Sequence, residues 1–253
     1  MIELIQTEFK EANKNLALEE AILEDFLKTE RTPLVRVWKN EELSAVLGRG
    51  EKAENQLHLD KCNSHEISVI RRVSGGGTVL HGPGNINLSF FLPYSFHEDL
   101  KSIPASYCLI LGWVKSALKK VSGIETTQKG TSDLCIGNKK FSGTAQARKR
   151  HGLLHHLTIL VDFDLNLIPT FLKEPEKRPD YRHQRNHLDF LTNLKDEGYC
   201  LNPNELIEGL QESLGNFTRV SSLNNQTLDR CQVLAEEKYL SEEWNLKGRT
   251  PSS

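Results

Sequence analysis

Three consecutive glycines, Gly75-Gly76-Gly77, follow Arg71-Arg72-Val73-Ser74 and lead into Thr78-Val79-Leu80-His81-Gly82-Pro83-Gly84-Asn85. Glycine has no Cβ, so its peptide can approach a ligand closely and adopt positive φ without strain. Successive free N–H groups in such a loop form a concave anion site, and two arginines at its entrance add permanent positive charge. The pattern points to a phosphate-bearing molecule lying flat against a sheet. No Gly-Lys-Ser/Thr comes after the glycines, so this is not a P-loop. The chain beyond them reads as strand rather than helix, unlike a dinucleotide fingerprint. A glycine-rich hairpin turn accounts for the glycines alone and leaves the arginine pair unexplained.

A second chemical segment runs from Asp133 to His156. Lys140 stands just beyond a Gly137-Asn138 link, with Ser142, Gly143, Thr144 and Gln146 after it. A lysine fixed there can hold a point charge against a phosphate or carboxylate oxygen. Arg148-Lys149-Arg150 reads either as a solvated loop or as a mobile basic flap over an anionic ligand. His155 and His156 are neighbours, so on a strand they face opposite ways and cannot chelate one ion together. Cys135 lies within a strand-like run and reads as a buried thiol rather than a nucleophile.

The elements that must position these groups are legible as periodicities. Leu18, Ile22 and Phe26 fall at i, i+4, i+8 and predict a helix from about Asn13 to Leu27. Short strands are predicted at Leu34–Trp38, Ser44–Leu47 and Ile67–Arg71. Asn85 to Leu92 alternates and predicts a half-buried strand whose polar face, Asn85, Asn87 and Ser89, lines a cleft. Tyr107 to Leu118 reads as helix, Gly137-Asn138 as a two-residue hairpin turn, and Leu157, Ile159, Val161 and Phe163 as one long strand. Helices come next at Glu205 to Leu214 and around Leu228 to Tyr239. Strands without regular βαβ alternation give an α+β class with a mixed or antiparallel sheet flanked by helices.

The 253 residues, 38% hydrophobic and 26% charged, suffice for one sizeable core, and a single domain over residues 1–253 is the simplest expectation. A formal net charge of −2 argues against broad nucleic-acid binding. Five scattered cysteines without metal-ligand spacing fit reduced thiols. The N-terminus has no basic start followed by a long apolar core, and no run is long enough to span a bilayer. The expected compartment is the cytoplasm.

Arg71-Arg72-x-Ser74-Gly75-Gly76-Gly77 with His81 and Gly84-Asn85 resembles the signature of lipoate–protein ligases. Asp133-Leu134, Lys140-x-x-Gly143-x-Ala145 and Leu154-His155-His156 stand in that family's order, and Asn15 to Ala21 resembles its first helix. The resemblance extends to Tyr239–Asn245 and so covers nearly the whole chain. It implies a biotin/lipoate-ligase catalytic-domain fold, related to class II aminoacyl-tRNA synthetases. It further implies activation of lipoate or octanoate by ATP with Mg2+ to an acyl-adenylate, then transfer to a lysine of a carrier. Carriers of that kind are the lipoyl domains of 2-oxoacid dehydrogenase E2 subunits and the glycine-cleavage H protein.

By the same resemblance Arg72, Ser74 and Gly75 to Gly77 line the ligand loop, and Gly77, Thr78, Val79 and Leu80 back the adenylate. Lys140 bridges acyl and phosphate oxygens, Asp133 holds the nucleotide or metal side, and Asn85 presents its amide to the cleft. His81, Gly143, Ala145 and His156 complete the binding set. Family members commonly carry Asp where this chain has Gly82. Long-form members add a small C-terminal domain, which leads to the expectation of a separate accessory subunit. Related octanoyltransferases use a cysteine nucleophile, but this chain has Leu153 at one such place and no cysteine from Glu125 to Ser132 at the other. An acyl transferase, a ligand-binding subunit needing a partner, and a biotin ligase suggested by Gly48-Arg49-Gly50 are the alternatives.

Overall fold

A computed structural model describes residues 2–28, 31–219 and 223–250. Residues 1 and 251–253, the ends of the expected 1–253 unit, lie outside them.

The strands are β1 (Ile2–Ile5), β2 (Leu34–Trp38), β3 (Ser44–Leu47), β4 (Ser68–Arg71), β5 (Val79–His81) and β6 (Asn85–Pro93). They continue with β7 (Thr127–Lys129), β8 (Asp133–Ile136), β9 (Lys139–Arg148), β10 (Gly152–Leu160) and β11 (Phe217–Arg219). Eight form a sheet in the order β11-β1-β2-β6-β10-β9-β8-β7, and β4-β3-β5 form a smaller one. In the large sheet β1 runs parallel to β2 and β11, and the other neighbours are antiparallel. The mixed sheet and α+β class follow the expectation, but the glycine loop and Lys140 belong to different sheets.

Four helices exceed ten residues among the described residues: α1 (Ala12–Lys28), α2 (Ile103–Ser122), α3 (Pro203–Leu214) and α4 (Asn225–Glu237). One face of the large sheet, with Ile86, Leu88 and Phe90, packs against Ile110, Val114 and Leu118 of α2 and Leu206 and Leu210 of α3. The opposite face, with Phe91 and Leu154, packs against Leu18, Ile22 and Phe26 of α1, backed by Leu234 of α4. Such spacing puts one apolar stripe of each helix on the sheet. The α3 start is fixed by a capping box between Asn202 and Glu205.

Three sequence expectations are corrected. The polar face of β6 is not half-exposed: every residue of β6 is buried, because α1 and the glycine loop cover the side opposite the core. The β10 strand stops at Leu160, since the Val161 and Asp162 N–H groups both donate to Gly84 O at 3.0 Å and turn the chain away, leaving Val161 and Phe163 outside it. Arg148 is no flap residue. It ends β9, donates to Lys101 O at 3.1 Å and lies 5.0 Å from the Tyr94 ring centre.

Candidate functional site

The loop between β4 and β5 hangs over the α1 face of the large sheet. Consecutive residues of a strand point to opposite faces, and that separates the two arginines. Arg71 turns away from the loop and is buried, donating to the carbonyls of Trp244 (2.8 Å), Asn245 (3.0 Å), Leu246 (3.2 Å), Gly48 (3.0 Å) and Glu51 (2.7 Å). It is a structural clamp, not an entrance charge. Arg72 turns into the loop, donating to Ser74 Oγ at 2.9 Å and to the carbonyls of Gly75 and Gly77 at 2.6 and 2.8 Å. A trans peptide sets its N–H opposite its C=O, so the Gly76 and Thr78 N–H groups point away from the guanidinium. Burial pulls the Arg72 guanidinium down to about 10, and it stays charged at neutral pH.

Two glycines fix this geometry. Gly76 has φ +85°, and a Cβ on Gly48 would stand 1.8 Å from Gly76 O. Gly48 of the Gly48-Arg49-Gly50 tripeptide is therefore explained by close approach to the loop.

A chain of polar contacts ties the loop to the first helix. Ser74 Oγ lies 2.6 Å from His156 Nε2, and His156 Nδ1 lies 2.8 Å from Glu19 Oε2. Ser89 Oγ donates to the other Glu19 oxygen, and Trp38 Nε1 donates to Ser89 Oγ at 3.1 Å. Burial alone pushes the Glu19 carboxyl up, but His156, Arg36 and Ser89 outweigh it and hold it below the ordinary carboxylate range. Ser74 is 1% exposed and acts through these bonds.

The facing wall is β9 with β8. Lys140 Nζ lies 2.8 Å from Asp133 Oδ1, while Tyr181 donates to Asp133 Oδ2 at 2.6 Å. A Cβ on Gly143 would stand 2.8 Å from Lys140 Nζ, so the missing side chain is what lets the lysine lie across the strand. A cavity of about 160 Å3 separates the walls, bordered by Arg72, Gly76, Gly77, Thr78 and Val79 on one side and Asp133, Lys140, Gly143 and Ala145 on the other. His81 and His156 also border it, and burial drives the His81 imidazole down to about 3.

A second cavity of about 330 Å3 shares Lys140, Asp133 and Gly77 to Val79, and includes Leu80. Lys129, Lys173, Lys177 and Arg182 give it a cationic rim, and among the described residues Asp133 is the one carboxylate on its border. Sequence reading missed these four cations, His187 and Tyr181, and for those beyond Lys129 the only signal was the density of charge from Lys173 to His187. Three of the expected site residues border neither cavity. Ser74 is buried behind the loop, Gly75 is exposed but borders neither cavity, and Asn85 donates to Leu80 O at 3.1 Å, so its amide braces the β5–β6 turn instead of facing the cleft. Cys135 is buried, its thiol pushed up by burial, and among the described residues no cysteine borders either cavity.

Residues 11–215 match the family model described as lipoyl protein ligase A/B catalytic domain. A probable lipoate-protein ligase A of Mycoplasma genitalium is 30% identical, covering 93% of this chain and 69% of its own length. An octanoyltransferase, LipM, of Clostridioides difficile is 27% identical, covering 96% of this chain and 98% of its own. Among solved structures, a bi-partite lipoate protein ligase of Thermoplasma acidophilum, studied with its E2 lipoyl domain, superposes with a TM-score of 0.85 at 25% identity. That match covers 99% of this chain and 98% of the other.

Proposed function

Because the chain belongs to the lipoyl protein ligase A/B catalytic-domain family, we propose that it is an ATP-dependent lipoate–protein ligase. It activates lipoate as lipoyl-adenylate and passes the acyl group to a lysine of a lipoyl carrier domain. The observation that carries this reading is Lys140 facing the glycine loop across one cavity.

In the first step an acyl carboxylate oxygen bonds to the α-phosphorus of ATP, and the bond from that phosphorus to pyrophosphate breaks. Lys140 is placed to neutralise charge shared by the acyl and phosphate oxygens, and the Gly76 and Thr78 N–H groups add a fixed dipole field. The cationic rim of Lys129, Lys173 and Lys177 suits the departing phosphates. In the second step the carrier amine bonds to the acyl carbon, the carbon–oxygen bond to AMP breaks, and the amine loses a proton. Among the described residues no group of three or more His, Cys, Asp or Glu side chains could hold a metal. Mg2+ is therefore assigned to the triphosphate, with which it enters.

The bi-partite relative supports a second subunit that assists transfer, with lipoyl domains as acceptors. No helix among the described residues is long and apolar enough to cross a membrane, and a cytoplasmic site of action fits the free cysteines. The LipM relative keeps a thioester route in view, and the five thiols away from the cleft disfavour it.

Incubation with ATP, Mg2+ and lipoate, alone and with an apo lipoyl domain, tests the proposal by adenylate detection and intact mass. ATP-independent transfer through an acyl adduct on the protein that disappears in Cys135→Ser would replace the ligase reading by a transferase.

A further inference from the structure

Asp133, Gly143, Thr158, Asn87 and Trp38 are paired in succession and form one row across five strands of the large sheet. Paired residues point to the same face, and all five border the smaller cavity. Adjacent strands lie ~4.8 Å apart, so Asn87, two strands from Gly143, is about 10 Å from it. The Lys140 ammonium lies over Gly143. An extended eight-carbon acyl chain with its carboxyl at Lys140 therefore ends at Asn87, flanked by the apolar Leu16 and Val79.

The chemistry at that end is specific. Asn87 is 2% exposed, and its Oδ1 accepts from Thr158 Oγ1 at 2.8 Å. Thr158 Oγ1 lies 3.0 Å from His81 Nε2, which fixes the row of polar contacts. Asn87 Nδ2 has no partner among the described residues. Lipoate and octanoate are both eight-carbon acids and differ only at the tail, where lipoate carries a disulfide ring. The amide donor is already buried and unpaired, and a methyl end leaves it so, whereas a sulfur is a weak acceptor and a polarisable neighbour.

Resting on the ligase reading, we infer that Asn87 is a specificity-determining residue that makes the cavity prefer the sulfur-bearing tail of lipoate to the alkyl tail of octanoate.

Calorimetric titration of the whole chain with each free acid, without nucleotide, tests this. The wild type is expected to bind lipoate about tenfold more tightly, the scale set by leaving a buried polar group unpaired. In Asn87→Leu the ratio is expected to fall toward one, chiefly through weaker lipoate binding. Equal or tighter octanoate binding by the wild type overturns the inference, and that measurement needs no variant to fold. An unchanged ratio in a folded Asn87→Leu protein overturns it as well. Adenylate formation, measured in parallel, separates the two readings: no adenylate with the binding ratio intact counts against the ligase alone.

Discussion

Lys140 enters the resting site already paired, with Asp133 taking its charge and Tyr181 steadying the second carboxylate oxygen. A ligand anion must compete for that ammonium, which is why charge and reach both matter. Lys140→Ala is expected to lower adenylate formation on the order of a hundredfold or more, as for removal of a group that stabilises developing charge. Circular dichroism should stay unchanged, because the side chain is partly exposed and no core atom depends on it. Glu19 is a positioning residue of another kind. Glu19→Gln weakens charge-assisted bonds to His156 and Ser89, and unfolding in urea should show a loss of about 1.5–3 kcal/mol. At this scale Lys140 and the glycines were legible as types at a spacing. Arg71 was misread, although strand alternation already implied that only one of two adjacent arginines could face the loop.

The glycine loop is shaped by what lies behind it. Gly48→Ala would drive a methyl into Gly76 O, so β3 and the loop must separate. The expected result is a stability loss of about 1–3 kcal/mol from overpacking, with lipoate binding weakened further than stability alone explains. Titration of the folded variant reads the second effect. Elements with local signals were found from sequence: α1 by its i, i+4 stripe, and the β8–β9 hairpin by Gly137-Asn138, with Gly137 at φ +54°. The end of β10 was not, because a carbonyl of Gly84, far away in sequence, decides it. The Tyr181–His187 side of the second cavity showed in sequence only as a density of charge, for the same reason: it reaches the site through contacts with Asp133 and Glu174 that no periodicity encodes.

Across the whole molecule, two buried imidazoles on opposite faces of the large sheet link folding to pH. His81 and His155 are each driven by burial to about 3 from an ordinary 6.5. Between those values the unfolded chain takes up protons that the native state refuses, so stability is full above pH 6.5 and falls as pH drops toward 3. The urea midpoint is expected to be lower at about pH 5 than at about pH 7, and His155→Phe should flatten that dependence. A midpoint that does not move would mean that water reaches both rings.

Arg71 also has a consequence in time. Its guanidinium finds partners 173 to 175 positions later, at Trp244, Asn245 and Leu246. Every described strand of the large sheet is complete by Arg219, yet the Nε and second terminal nitrogen of Arg71 on β4 lack their acceptors until those last carbonyls exist. Contacts of such long sequence separation close late. During synthesis the ligand loop is therefore among the last parts to set, and a chain arrested before Leu240 should hold its sheet while its Ser74–Gly77 segment remains open to protease.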